Sequence, residues 1–255
     1  MEFLRNLKRK LKKANKNTKY KIFNIIGQSN YIPFIVLSRS RTGSNMLMSF
    51  LESHPNILVD YEVFSKLNGR SHKEIYDHLF SKQAYNVKAR GFKIFYDHPF
   101  DDDEKLIWKD LVQTPKLKVI HLKRKNIFRT LISRKIAGIK DVWTSMPKRS
   151  SQNEKITISF TEQELNEGFE STRTKENNGD KMFSNHDLLE VYYEDIVDEP
   201  KTTFRKVTNF LNIEYTDPKT RLRKQNQSKL SEVVENYHDL KTSFQNTKWE
   251  SFFNE

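Results

Sequence analysis

The stretch 31–62, YIPFIVLSRSRTGSNMLMSFLESHPNILVDYE, constrains the fold of this chain more than any other. Phe34, Ile35, Val36 and Leu37 form an apolar run short and branched enough to be a buried strand. The run stops at a polar, glycine-containing loop, SRSRTGS, and passes directly into residues 45–51, whose apolar positions do not sort by a period of two and read as a helix on a sheet. Strand, tight loop and helix start outline an anion site. The first helical turn offers unpaired N–H groups, the helix dipole adds positive potential, and Arg39 and Arg41 add full charges. The other reading is a solvated turn in which Gly43 relieves the backbone and the arginines are surface charge. A nucleoside-triphosphate loop of the form GxxxxGK[ST] is absent, since neither the first glycine nor the lysine is present.

A second unit of the same kind lies at 116–138, KLKVIHLKRKNIFRTLISRKIAG. Leu117, Val119, Ile120 and Leu122 predict a buried strand, KRKN turns the chain, and Ile127, Phe128, Leu131, Ile132 and Ile136 line a helical face. Two strands that each end in basic residues at a helix start put two anion sites on one carboxyl edge, where open parallel sheets bind ligands. Between them, GFKIFYDH (91–98) alternates as a strand and delivers Asp97 and His98 to that edge, and DDDEKLIWKDLVQ reads as a helix with an acidic first turn. Residues 186–215 read as a strand, LLEVYYEDI, then a helix with Pro200 in its first turn. Glu194 and Asp195 are adjacent and point apart, so they anchor the strand end and cap the helix; they are not a paired acid and base. His54 reads as a helix-end residue, His121 as a strand residue, and His72 and His78 have no partner at metal-ligand spacing.

The formal net charge is +12, yet residues 1–21 hold nine Lys or Arg against one Glu, leaving +4 for the rest. A charge confined to a tail argues against nucleic-acid binding, and no zinc-ligand set, RNA-binding aromatic motif or helix-turn-helix pattern accompanies it. In that tail Phe3, Leu4, Leu7 and Leu11 share one helical stripe amid basic residues, a pattern that suits either contact with an anionic membrane face or a helix with a solvated basic side. No run of 18 apolar residues exists, the basic start lacks a secretion-signal core, and there is no cysteine, which removes disulfide and thiolate chemistry. From 140 to 187 the sequence looks least ordered, apart from a strand-like KITISF and a capping box at Thr161 and Glu164; Trp143 and Arg149 there are candidates to hold a sugar. Residues 221–240 predict a basic cluster ahead of an amphipathic helix with Leu230, Val233, Val234 and Tyr237, and the aromatic-rich tail after it is expected to dock.

Four stretches together resemble the PAPS-dependent sulfotransferases, and within them the glycan-sulfating, tyrosine-sulfating and bacterial nodulation-factor and lipopolysaccharide branches. Arg41, Thr42, Gly43, Ser44 and Asn45 resemble the 5′-phosphosulfate loop, with Thr42 where Ser is commoner and Asn45 where a second Thr is usual. IHLKRKNIFRTLIS resembles the 3′-phosphate element: Ser133 matches the family serine, and the basic partner is Lys125, eight residues earlier, or Arg124, nine earlier. YEDI followed by Pro200 and FL resembles a framework segment, and Lys224 falls where a late basic loop closes over the 3′-phosphate. Glu62, 21 residues after Arg41, has the spacing of the family's general base, with His54 the lesser candidate, and Lys93 resembles the lysine placed near the transferred group.

The resemblance, over 33–240, implies an α/β, P-loop-containing three-layer fold with a central, mostly parallel sheet and flanking helices. The basic, amphipathic start reads as an N-terminal extension at 1–30, ahead of one sulfotransferase-like α/β domain at 31–255 with an acceptor-side insertion around 140–185. It implies PAPS as donor, 3′,5′-ADP as product, no metal, and a carbohydrate or glycolipid acceptor, with a cytoplasmic enzyme that meets the inner membrane face through residues 1–21. The rivals are a nucleotide-dependent kinase and a non-catalytic polyanion- or membrane-binding protein.

Overall fold

The computed structural model describes residues 26–140, 156–220, 222 and 228–254. Five strands build one parallel sheet: β1 (Ile32–Ser38), β2 (Ile57–Asp60), β3 (Ala89–Phe95), β4 (Lys118–Lys123) and β5 (Asp187–Tyr192). Their order is β2-β3-β1-β4-β5. Central β1 is covered on both faces, which explains why residues 34–37 are all apolar and all fully buried. Phe34 and Val36 face α1 (Ser44–Glu52) and α7 (Pro200–Phe210), among Leu47, Met48, Leu51, Phe204 and Val207. Ile35 and Leu37 face the opposite layer, with α2 (His72–Leu79) and α3 (Ile107–Gln113). The expected three-layer α/β architecture is what forms.

A further core lies beside the sheet. There α4 (Ile127–Lys140) and α5 (Glu162–Met182) pack with α8 (Leu230–Val233), α9 (Tyr237–Ser243) and the 3₁₀ turn Glu250–Phe253 around Phe128, Phe169, Trp249 and Phe253. The C-terminal aromatics dock as expected. The helix expected after residue 228 is two short ones, although Leu230, Val233, Val234 and Tyr237 are all buried.

Several local readings shift. The YEDI segment is not strand: β5 stops at Tyr192 and α6 (Tyr193–Asp198) begins at once. The acidic run 101–104 precedes α3, and the Asp101 carboxylate accepts from the N–H groups of Leu67 and Asn68 at 2.7 and 2.8 Å, tying down another loop. KITISF supplies one isolated bridge, Ile158 to Val234. Much of the stretch that looked least ordered is α5, the longest helix among the described residues, opened by the expected capping box. Its buried stripe is Leu165, Phe169, Thr172, Glu176 and Gly179, so polar and small residues stand where apolar ones would have announced it.

The strand order positions the site. The chain leaves β1 toward β2 on one side and leaves β4 toward β5 on the other, so the carboxyl ends of these two neighbours diverge into a crevice, the usual ligand position in such sheets. Ser38 is level with Phe95 of β3 and Leu122 of β4, which brings three strand ends to one edge.

Candidate active site

The β1 loop is built to turn sharply. Arg41 and Gly43 both have positive φ, 68° and 79°. Gly43 is the N-cap of α1 and gives the helix start no side-chain cap. No other residue fits there, since a Cβ on Gly43 would lie 2.1 Å from the Tyr193 ring. Thr42 is buried, and its hydroxyl donates to the Arg39 carbonyl at 2.7 Å, so its side chain holds the loop and is not offered to a ligand.

The β4 loop closes the other wall. Arg41 Nε donates to Ser133 Oγ on α4 at 2.9 Å, and Arg124 Nη1 donates to the Arg41 carbonyl at 3.3 Å. Two stretches 92 residues apart, read separately as anion sites, therefore share one crevice. The structure separates the two candidates for the basic partner. Arg124 has a 12% exposed side chain, its guanidinium lies 4.8 Å over the Tyr193 ring, and its Nε is buried without a hydrogen-bond partner among the described residues. Lys125 points outward, 55% exposed, and pairs with Asp195 at 2.5 Å. Burial lowers the Arg124 pKa, opposed by Glu194; Lys125 is raised by its bond to Asp195. Glu194 does not cap its own helix. Its carboxylate accepts from the N–H groups of Lys125 and Asn126 at 2.9 and 3.3 Å and so fixes the β4 loop from β5's side.

The third strand brings Lys93. Lys93 lies beside Val36 in register and faces α1. It is 1% exposed, and its Nζ donates to Asn45 Oδ1 at 2.7 Å and reaches Glu62 Oε1 at 2.8 Å. It is thus no edge lysine in water: burial lowers its pKa, and the Glu62 carboxylate opposes that shift. Glu62, two residues past β2, keeps a 38% exposed side chain. Two residues singled out separately, Asn45 and Glu62, converge on the ammonium of a third, Lys93.

The histidines take other roles. His54 is buried; its Nδ1 accepts from Asn56 N–H at 3.2 Å and its Nε2 donates to the Glu214 carbonyl at 2.9 Å, so both nitrogens serve the helix end and neither is offered as a base. His121 Nδ1 donates to Asp180 at 2.7 Å and its Nε2 accepts from Tyr96 OH at 2.6 Å. His98 reaches the edge but turns inward, fully buried, its Nδ1 accepting from Phe95 N–H at 3.3 Å and its Nε2 without a partner among the described residues. Burial holds its pKa at about 4. Asp97 pairs with Lys175 of α5. His72 sits 3.4 Å from Asp110, and no cluster of three or more His, Cys, Asp or Glu among the described residues could hold a metal.

Sequence reasoning missed Tyr193, which fills the space behind Gly43 and supports Arg124, and the inward polar face of α5. There Asp180 ties Lys123 and His121 together, and Arg39 donates to Thr172. The first was signalled by the paired tyrosines of YYED; the second only by a helical-period stripe of mixed polarity. Lys224, Trp143, Arg149 and residues 1–21 lie outside the described residues.

Residues 105–217, which include the β4 loop, Ser133 and the YEDI segment, match the model of the sulfotransferase family. Nodulation protein H of Rhizobium tropici is 24% identical over 242 residues, 87% of this chain and 92% of that protein. Nodulation protein H of Rhizobium meliloti (strain 1021) is 24% identical over 237 residues, 87% and 94% of the two chains. Among solved structures, a sulfotransferase from Alicyclobacillus acidocaldarius shares the fold with a TM-score of 0.50 at 12% identity, over 83% of this chain and 90% of that one. At the family level the likeness is to sulfotransferases.

Proposed function

We propose that this chain, a relative of the sulfotransferase family across residues 105–217, transfers a sulfuryl group from 3′-phosphoadenosine 5′-phosphosulfate to a hydroxyl of a glycan or glycolipid. The observation that carries this reading is the Lys93 bridge, which couples Asn45, in the first turn of α1 just after the β1 loop, to Glu62. A phosphate-binding loop and a carboxylate joined by a buried cation are what in-line transfer to a hydroxyl needs.

The residues fit the donor. The cradle at Gly43 has no room for a Cβ, and the buried Arg124 Nε at the second anion position meets Glu194 Oε1 only at 3.8 Å and makes no hydrogen bond to a described residue. Arg41 and the N–H groups of Gly43, Ser44 and Asn45 would hold the 5′ end; Arg124 and Ser133 would hold the 3′-phosphate, with Lys224 joining them as the family resemblance implies. When bound, the donor supplies the sulfuryl group and leaves as 3′,5′-ADP. Glu62 is the general base: Oε1 is held by Lys93, and the half-exposed carboxylate accepts the acceptor's proton. Lys93 and Arg41 place positive charge where negative charge grows on the leaving phosphate, in a partly dry site where that charge counts for more.

The test is labelled PAPS offered to a panel of glycan and glycolipid acceptors, with thermal melting alongside. Transfer of label and stabilisation by 3′,5′-ADP support the reading. Stabilisation by ATP and magnesium with none by 3′,5′-ADP would favour a kinase. The same reading puts the enzyme in the cytoplasm with residues 1–21 on the anionic inner face; their deletion should abolish binding to phosphatidylserine vesicles and spare 3′,5′-ADP binding, and loss of both would favour a non-catalytic binder.

A further inference from the structure

Two loops meet at the carboxyl edge, on the side of β1 away from β4: the one that follows β2 and carries Glu62, and the one that follows β3. Hydrogen bonds stitch them together. Phe100 N–H donates to the Ser65 carbonyl at 2.9 Å, Ser65 N–H donates to the Glu62 carbonyl at 3.1 Å, and the next residue, Asp101, accepts from Leu67 and Asn68. The β3 loop is pinned again where Trp108 Nε1 donates to the His98 carbonyl at 2.8 Å and Lys105 Nζ to the Asp97 carbonyl at 3.1 Å.

A line of ring contacts runs through these loops from the Glu62 carboxylate. The Lys93 ammonium, 2.8 Å from Glu62 Oε1, lies over the Tyr61 ring at 5.6 Å and over the Phe95 ring at 5.1 Å. The His98 ring stands 4.9 Å from Phe95, and Phe100 meets His98 edge to face at 4.8 Å. Phe95 and His98, the inner members, are buried, whereas Tyr61 is 39% exposed and Phe100 60%. Singly exposed aromatics are ordinary on a protein surface. Phe100 differs in its setting: it sits on a loop tied at several points, against a buried histidine, at the end of a line that begins at the candidate base. That is a rigid apolar face whose presentation costs nothing further on binding.

The position also suits an acceptor. The β1 and β4 loops line the crevice that the donor would fill, so a molecule bringing a hydroxyl to Glu62 has to approach over the β2 and β3 loops. A pyranose can lay its C–H face on the electron-rich face of a phenyl ring and leave its hydroxyls free.

We propose that Phe100 is the acceptor platform, on which a sugar ring of the glycan stacks while a hydroxyl of that glycan reaches Glu62. Phe100 thus sets acceptor affinity and takes no part in holding the donor. The inference rests on the sulfotransferase reading and adds to it the surface that receives the sugar.

The test uses the full chain, labelled PAPS and lipid-free cello-, chito-, manno- and galacto-oligosaccharides, with kinetics on the one that takes most label. Phe100→Ala should raise its KM roughly tenfold, with kcat and 3′,5′-ADP affinity near those of the unaltered chain. Phe100→Tyr should keep the low KM. Phe100→Leu still covers His98 but has no flat face, so it should resemble Phe100→Ala. An unchanged KM in Phe100→Ala overturns the platform, and so does a Phe100→Leu enzyme as good as Phe100→Tyr, which would mean simple apolar contact. Lost 3′,5′-ADP affinity in Phe100→Ala overturns it too, making Phe100 a support of the donor site. Stabilisation of the unaltered chain by 3′,5′-ADP with no label on any of these oligosaccharides overturns the platform and leaves the donor reading standing. Neither stabilisation nor transfer defeats the sulfotransferase reading itself, and this inference with it.

Discussion

Arg124→Ala and Lys125→Ala should have very different effects on 3′,5′-ADP affinity, although the two residues are neighbours and carry the same charge. Arg124 is 12% exposed, lies over Tyr193, and has its Nε buried, 3.8 Å from Glu194 Oε1 and without a hydrogen-bond partner among the described residues. Truncating one partner of a buried, hydrogen-bonded charge pair costs about 2–5 kcal/mol, so the dissociation constant should rise roughly 30- to 4,000-fold. Lys125 is 55% exposed and already pairs with Asp195. An exposed ion pair is worth about 0.2–1 kcal/mol, so its loss should cost no more than about fivefold. Arg124 also supports the loop through the Arg41 carbonyl, so a second ligand is needed to separate phosphate binding from loop damage. 5′-AMP, which lacks the 3′-phosphate, serves: Arg124→Ala should weaken 3′,5′-ADP strongly and 5′-AMP little, and Arg124→Lys should fall between, keeping charge and losing the fork. Isothermal titration at two salt concentrations reads all of these. A larger loss for Lys125→Ala refutes the assignment, and an equal loss of both ligands in Arg124→Ala refutes the phosphate role.

Two further outcomes follow from the site. Glu62→Gln should lower kcat by roughly 10²–10⁴ and leave 3′,5′-ADP affinity near normal, measured by steady-state transfer and titration; full activity would remove Glu62 as the base. His98 tests the buried edge, because burial holds its pKa at about 4 against an ordinary 6.5. The unfolded chain takes up this proton as pH falls below 6.5 and the folded chain does not until about 4, so the stability due to neutral His98 is full above 6.5 and is lost between those values. Between pH 7 and 4.5 the intact chain should lose about 2–3 kcal/mol more than His98→Leu in urea unfolding, and identical losses would show that His98 titrates normally.

The sequence made the sheet legible where burial was complete. β1 reads as a strand because both of its faces are covered, which leaves four apolar residues in a row. α5 was hidden for the opposite reason: its inward face carries Thr172, Glu176 and Gly179, so the apolar rhythm of a helix is missing although the capping box marks its start. Lys93 was visible as a candidate through its resemblance alone. Nothing local shows that a lysine in GFK is buried; that depends on its register beside Val36 and on Asn45 and Glu62 arriving from two other elements.

The choice between Arg124 and Lys125 shows why spacing could not settle the site. Counting back from Ser133 gives nine and eight residues, and a helix start tolerates either. The deciding groups come from about 70 residues later, in the segment that read as framework. Tyr193 puts a ring under Arg124 and against Gly43, Glu194 accepts from the N–H groups of Lys125 and Asn126, and Asp195 draws the Lys125 ammonium outward. Each contact alone is weak, but together they fix which side chain enters the crevice. YEDI therefore shapes the candidate site indirectly: Glu194 holds the β4 loop, and Tyr193 packs against Gly43 of the β1 loop at the same time. A change at Tyr193 should consequently disturb both phosphate positions together, whereas a change at Asp195 should release only Lys125. Framework and site are separable in the sequence but not in the fold.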